Sequence, residues 1–225
     1  MREIVLDTET TGIEPDEGHR LVEIGCVELD NHVPTGRTYH QYVNPERDMP
    51  DEAFAVHGLS EAFLANHPTF AEIVDGFIEF LGDADLVIHN AAFDLGFINA
   101  ELERLGQSPV DSSRAIDTVQ ITRSKYPGAQ ASLDALCRRF EIDLSARTKH
   151  GALLDAELLA DVYLELVGGR QPGFELAAER KLAAARSDVV RNTPARPPRP
   201  HAPSDAEGMA HEAFLEKISD PIWRD

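Results

Sequence analysis

The stretch Ile4-Val5-Leu6-Asp7-Thr8-Glu9-Thr10-Thr11-Gly12 decides the fold. An apolar run followed by acid-Thr-acid and then a turn around Thr11–Pro15 reads as a short strand, Glu3–Leu6, running out at the edge of a sheet. Residues i and i+2 of a strand project to one face, which makes Asp7 and Glu9 adjacent carboxylates. No Lys or Arg stands beside them in sequence, and such a pair is costly unless a cation lies between its members.

Two further segments place acids comparably. Val87-Ile88-His89-Asn90-Ala91-Ala92-Phe93-Asp94 sets Asp94 in the first turn of a helix that follows a second apolar run. His150-Gly151-Ala152-Leu153-Leu154-Asp155 sets Asp155 in the first turns of a third element. Five positions on one helix would separate His150 from Asp155 by about 140°, so His150 belongs to the loop before the helix, free to swing inward. Four carboxylates from three elements, Asp7, Glu9, Asp94 and Asp155, suit two hard divalent cations, Mg²⁺ or Mn²⁺. His150 suits a general base acting on water. Together they read as a phosphodiester-hydrolysing site.

Outward from these motifs, Arg20–Asp30 alternates apolar and polar as a half-buried strand does, and Arg37–Val43 continues as a third strand. Helical segments are expected at Asp51–His57, Ser60–Asn66 and Thr69–Leu81. Asp85–His89 is a fourth strand, Ala91–Leu105 a helix stopped near Gly106, and Arg114–Asp117 a short fifth strand. Thr118–Tyr126 and Ser132–Phe140 read as helices, the second capped by Ser132. Gly151–Val167 carries an apolar stripe from Leu153 and ends at Gly168-Gly169. Three consecutive strands followed by strand–helix alternation imply an α/β fold, a mixed sheet flanked by helices.

The chain has 225 residues with a net charge of −19, unusual for a nucleic-acid binder. Of 21 Lys+Arg and 40 Asp+Glu, 12 and 31 fall in residues 1–169, which leaves nine of each in 170–225. The chemical part is therefore acidic and the tail neutral. Bound divalent metals can invert the local field, but the grip on DNA is expected from a partner. No apolar run approaches the roughly 20 residues of a membrane span, and the acid-containing opening Met1–Glu9 leads to the expectation of no signal peptide. Cys26 and Cys137 lack metal-ligand spacing and read as reduced, buried thiols of a cytosolic protein.

Four segments are expected: a catalytic domain 1–169, a helical segment 170–190, a proline-rich spacer 191–204 and a C-terminal docking segment 205–225. The spacer carries five prolines within Asn192–Ser204. Beyond it, Glu207–Ile218 reads as a short amphipathic segment, followed by Trp223, the sole tryptophan. An apolar patch on a tether reads as a docking element, with fold-back onto its own domain as the alternative.

The pieces Asp7–Gly12, Glu52–Gly58, Val87–Asp94, Ser132–Cys137 and His150–Ala156 together resemble the DEDD exonuclease superfamily in its histidine-bearing branch, nearest to members that proofread for bacterial replicative polymerases. The tyrosine branch would require Tyr at position 151, which is Gly. The resemblance implies a ribonuclease-H-like fold with a central mixed five-stranded sheet, and removal of nucleoside 5′-monophosphates from a DNA 3′ end. It matches Asp7, Glu9, Asp94 and Asp155 to metal ligands and His150 to the base. It also implies contact of the single-stranded 3′ terminus with Thr10, Glu52, His57, Asn90 and Phe93. His57 reads otherwise as a helix-terminal cap, Phe93 equally as core, and His89 as structural.

In the tail, Gln171, Phe174 and Leu176 fit a sliding-clamp peptide, or else a helix lead-in. Phe214, Leu215, Ile218 and Trp223 look like a tether to the polymerase catalytic subunit, in a bacterial cytoplasmic replisome that can also hold a small accessory subunit. Two other readings share the site: a free-standing exonuclease trimming RNA or oligonucleotides, and a non-catalytic scaffold between polymerase and clamp. The docking tail argues against the first, and the intact five residues against the second.

Overall fold

A computed structural model describes residues 1–145, 147, 149–169 and 202–218. Gln171, Phe174, Leu176, Trp223, the helical segment expected over 170–190 and most of the proline spacer lie outside the described residues. The chain divides into two units, Met1–Leu176 and Ala177–Asp225.

The first unit is built on one sheet of five strands, β1 (Arg2–Thr10), β2 (Leu21–Asp30), β3 (Val33–Tyr42), β4 (Asp85–Ile88) and β5 (Ala115–Asp117). Their order is β3-β2-β1-β4-β5. The β1–β2 and β2–β3 pairs are antiparallel, the β1–β4 and β4–β5 pairs parallel. The mixed sheet implied by the strand–helix pattern is thus present. Among the described residues of this unit, α-helices α1 (Asp51–His57), α2 (Glu61–Leu64), α3 (Phe70–Leu81), α4 (Ala91–Arg104), α5 (Thr118–Lys125), α6 (Leu133–Arg139) and α7 (Ala152–Leu166) accompany the sheet.

Strand period two divides the core into two layers. Ile4 and Leu6 of β1 pack with Phe70, Phe77, Phe97 and Ile98 of α3 and α4. Val5 packs on the opposite face with Leu159, Val162 and Leu166 of α7. Glu3, of the same parity as Val5, is fully buried and accepts a hydrogen bond from the Tyr163 hydroxyl of α7 at 2.7 Å. By the same alternation Asp7 and Glu9 belong to the α7 face, and Thr8 and Thr10 to the α4 face.

Three sequence expectations are corrected here. β1 does not stop at Leu6: Asp7 pairs with Gly25 and Glu9 with Glu23, because the long β2 supplies a partner beyond the apolar run. β2 is not half-buried, since every residue from Leu21 to Leu29 is buried. Helices cover both faces, and the polar members are paired: Glu23 with His40 Nε2 at 2.7 Å, Glu28 with Arg2, Thr35 and Arg37. β3 begins at Val33 rather than Arg37 and is the exposed edge strand.

The buried stripe of α7 likewise begins at Ala152, then Asp155, Ala156 and Leu159, with Leu153 and Leu154 only partly covered. Small side chains at Ala152 and Ala156 let the first turns approach the sheet closely. α6 is capped by Ser132 as expected, its hydroxyl accepting from the Ala135 N–H at 3.4 Å. Both cysteines are free and buried.

In the second unit, helix α8 runs Asp205–Leu215, earlier at both ends than the segment Glu207–Ile218 expected from sequence. Ser204 sets its start, exchanging hydrogen bonds with Glu207 in a capping box. Phe214 and Leu215 lie in its last turn, Phe214 exposed, with Ile218 just beyond. No helix among the described residues is long and apolar enough to cross a membrane.

Candidate active site

The C-terminal end of β1 collects the acids singled out in the sequence. Glu9, His150 and Asp155 offer ligand atoms that all lie within 4.8 Å of one another. Glu9 comes from the strand, Asp155 from the first turn of α7, and His150 from the loop before it. The His150 N–H reaches the Val56 carbonyl at 3.4 Å, which ties this loop to α1. Asp94 arrives from the first turn of α4, and its Oδ1 accepts a hydrogen bond from the Thr8 hydroxyl at 2.7 Å. Thr8 sits between the two strand acids but points to the α4 face, so one strand presents acids to α7 and a positioning hydroxyl to α4.

Burial and repulsion between carboxylates act on Asp7, Glu9 and Asp94. Desolvation, then the charges of Asp94, Glu9 and Asp155, push Asp7 well above the ordinary aspartate range. Desolvation, then Asp155, Glu23 and Asp94, raises Glu9 from 4.5 to about 8. Asp94 rises from 3.8 to about 7, again mainly by desolvation and despite the hydrogen bond from Thr8. Acids crowded this closely resist ionising unless positive charge joins them. Oxygen donors on rigid elements with one imidazole beside them fit a hard divalent cation.

One positive charge is supplied by the protein, and sequence reading missed it. Arg147, outside any helix and three residues before His150, donates through Nε to Asp155 Oδ1 at 2.5 Å and through Nη2 to Asp155 Oδ2 at 2.6 Å. Its Nη1 donates to Asp134 of α6. Its Nη2 also lies 3.0 Å from His150 Nδ1, which in turn is 3.4 Å from Asp155 Oδ2. The hydrogen bond to Asp155 holds the guanidinium more firmly protonated than usual.

Two clefts open beside these residues. One, of about 410 Å³, is lined by Thr8, Glu9, Thr10, Glu52, His57 and Phe93 among others, with Ile13 and Val56 as exposed apolar members of its wall. The other, of about 420 Å³, is lined by Asp7, His89, Asp134, Arg147, His150 and Asp155 with their neighbours. Four of the five residues expected at the nucleotide therefore share one cleft. Asn90 lines neither: it is exposed, with φ +70° at the start of α4, and its N–H donates to Asp117 at 3.2 Å.

His57 is at once the end of α1 and part of the cleft wall. Its Nδ1 accepts from the Leu59 N–H at 3.0 Å, and the imidazole also interacts with the Thr10 backbone. Phe93 is partly buried against the core and lines the same cleft, which joins its two readings. His89, taken as structural, does bond Thr118 at 2.9 Å, yet it also lines the second cleft.

An exonuclease family model, RNase_T, matches residues 4–163. The nuclease domain of 3'hExo, a DEDDh family member solved with bound rAMP, superposes with TM-score 0.65 at 21% identity, covering 74% of this chain and 91% of that one. Exonuclease X, solved with 5′-overhanging duplex DNA, gives TM-score 0.58 at 23% identity over 73% and 90%. These likenesses show the fold: the sheet flanked by helices is that of DEDDh exonucleases. DNA polymerase III subunit epsilon of Rickettsia felis is 47% identical over 222 residues, covering 97% of each chain. The subunit of the same name from Escherichia coli is 42% identical over 236 residues, covering 99% of this chain and 97% of that one.

The chain belongs to the exonuclease family, and within it to the DNA polymerase III epsilon subunits. It is a metal-dependent 3′→5′ exonuclease of the proofreading kind.

Proposed function

We propose that this exonuclease removes mispaired 3′-terminal nucleotides from DNA at a site holding two divalent cations, Mg²⁺ or Mn²⁺, on Asp7, Glu9, Asp94 and Asp155. The observation that carries the reading is the convergence of Glu9, His150 and Asp155 within 4.8 Å, next to a cleft walled by Thr10, Glu52, His57 and Phe93. Bound cations would offset the crowded acids and the charge that develops on the phosphate. His150 takes the proton of the attacking water at its imidazole, and its loop position lets it approach and withdraw. Thr8 holds Asp94 in orientation. Ile13, Val56 and Phe93 give the terminal base an apolar wall, and His57 offers a polar edge beside it. A mispaired end costs less to unpair and thread into such a cleft than a paired one, so no base need be read.

The role within a larger assembly rests on different grounds. Net charge of −19 leaves the chain poorly suited to hold DNA unaided. Relatives that match along nearly their whole length are named as subunits of DNA polymerase III. We therefore assign the grip on DNA to a replicative polymerase catalytic subunit in the bacterial cytoplasm. Residues 205–225, with Phe214, Leu215, Ile218 and Trp223, are the proposed attachment, and Gln171, Phe174 and Leu176 a proposed clamp contact. A small accessory subunit completes the proposed assembly.

The test compares release of nucleoside 5′-monophosphates from mispaired and paired primer termini in Mg²⁺, with and without the polymerase subunit. Faster attack on the mispaired end, and gain on adding the subunit, are expected. Equal rates on both termini, or preferential attack on RNA, would favour the free-standing trimmer instead.

A further inference from the structure

Arg147 occupies two groups that the proposed reaction needs. Its guanidinium takes both oxygens of Asp155, at 2.5 and 2.6 Å, and lies 3.0 Å from His150 Nδ1. A guanidinium has no lone pair, so this last contact is a donation, and in a neutral imidazole it uses the ring's only basic nitrogen. Asp134 on α6 anchors the far side of the same group. The Arg147 side chain is only 10% exposed, and Asp155 3%, so the pair is shielded from solvent. Arg147 also acts on Asp7 and Glu9, lowering the cost of their ionisation.

We propose that Arg147 is a built-in latch: it neutralises Asp155 and occupies the basic nitrogen of His150, and a divalent cation must displace it before the site can work. The inference rests on the metal-site reading above. It makes Arg147 a positioning residue whose cation competes with metal for one ligand. One positive charge at hydrogen-bonding distance in a partly screened site accounts for roughly a threefold to thirtyfold difference in apparent metal affinity. Arg147→Ala should therefore bind metal more tightly while losing stability in its absence. Arg147→Lys keeps the charge but cannot bridge Asp155, Asp134 and His150 at once, and should fall between.

The experiment is Mn²⁺ titration by calorimetry on the full chain, with melting temperatures in EDTA and in saturating Mn²⁺. Wild type, Arg147→Ala, Arg147→Lys and Asp155→Asn are compared. The latch predicts a lower Kd for Mn²⁺ in Arg147→Ala, a lower Tm in EDTA, and a larger Tm gain on adding Mn²⁺. Should Arg147→Ala fail to fold, the same direction in Arg147→Lys carries the test. Unchanged or weaker Mn²⁺ binding in both arginine variants, with binding lost in Asp155→Asn, would overturn the latch alone. Absence of Mn²⁺ binding in the wild type would sink the metal site and the latch together.

Discussion

Gly25 of β2 lies directly beneath Ala152, the first residue of α7: a Cβ on Gly25 would overlap the Ala152 carbonyl carbon and the Leu153 amide nitrogen. Gly25 is also the ladder partner of Asp7. The close approach therefore sets the distance between the strand carrying Asp7 and the helical turn carrying Asp155. Gly25→Ala must push α7 off the sheet, because the obstacle is backbone and cannot rotate away. A loss of about 1–3 kcal/mol or more is expected from overpacking. Exonuclease activity should fall further than the loss of folded protein explains. Urea unfolding and primer degradation measured on the same preparation check both parts.

Thr8→Val keeps the volume but removes the hydroxyl that donates to Asp94. Loss of such an orienting partner costs about 10–100-fold in metal affinity or activity in comparable sites. The hydrogen bond from Thr8 lowers the Asp94 pKa, so its removal should also move the acid limb of the pH–rate profile upward. A profile of kcat/KM identical to wild type would show that the hydroxyl does not orient Asp94.

Stability without metal should fall as pH rises. The folded-state pKa is raised for Glu9, from 4.5 to about 8, and for Asp94, from 3.8 to about 7. Between the ordinary and the raised values the folded state binds more protons than the unfolded one, so unfolding free energy declines with pH. The penalty is absent below the ordinary values and complete above about 8. Melting in EDTA from about pH 5 to about pH 9 should show this decline, and Mg²⁺ should raise Tm more at the alkaline end. A Tm that is flat or rising in EDTA would contradict the crowded-acid picture.

His57→Ala should act on nucleotide binding more than on turnover. The imidazole accepts from the Leu59 N–H, interacts with the Thr10 backbone and forms part of the cleft wall. One lost hydrogen bond, about 1 kcal/mol, predicts roughly fivefold weaker inhibition by a nucleoside 5′-monophosphate. Equal inhibition of wild type and variant would remove His57 from the nucleotide site.

Local pattern makes part of the fold and site legible in the sequence. Strand period two places Asp7 and Glu9 on one face, and the helical step places His150 outside α7. The mixed sheet followed from element order. What the sequence hid was tertiary. Arg147 is invisible to local pattern because it reaches the acids of β1 from a loop well over a hundred residues away in sequence. Thr8 carried a usable signal, its opposite parity between two acids, but its partner on α4 could not be named. Asn90 was matched by motif, and the left-handed backbone at the start of α4 leaves it outside both clefts. The burial of β2 on both faces was masked by Glu23 and Glu28, whose partners lie on β1 and β3.

The most direct test of the central claim is Mg²⁺-dependent 3′→5′ degradation of a mispaired primer by wild type beside Asp7→Ala, each with the polymerase subunit present. The account predicts nucleoside 5′-monophosphates released by the wild type and essentially none by Asp7→Ala, at equal folded concentration. Equal activity in both would place the chemistry elsewhere and contradict it.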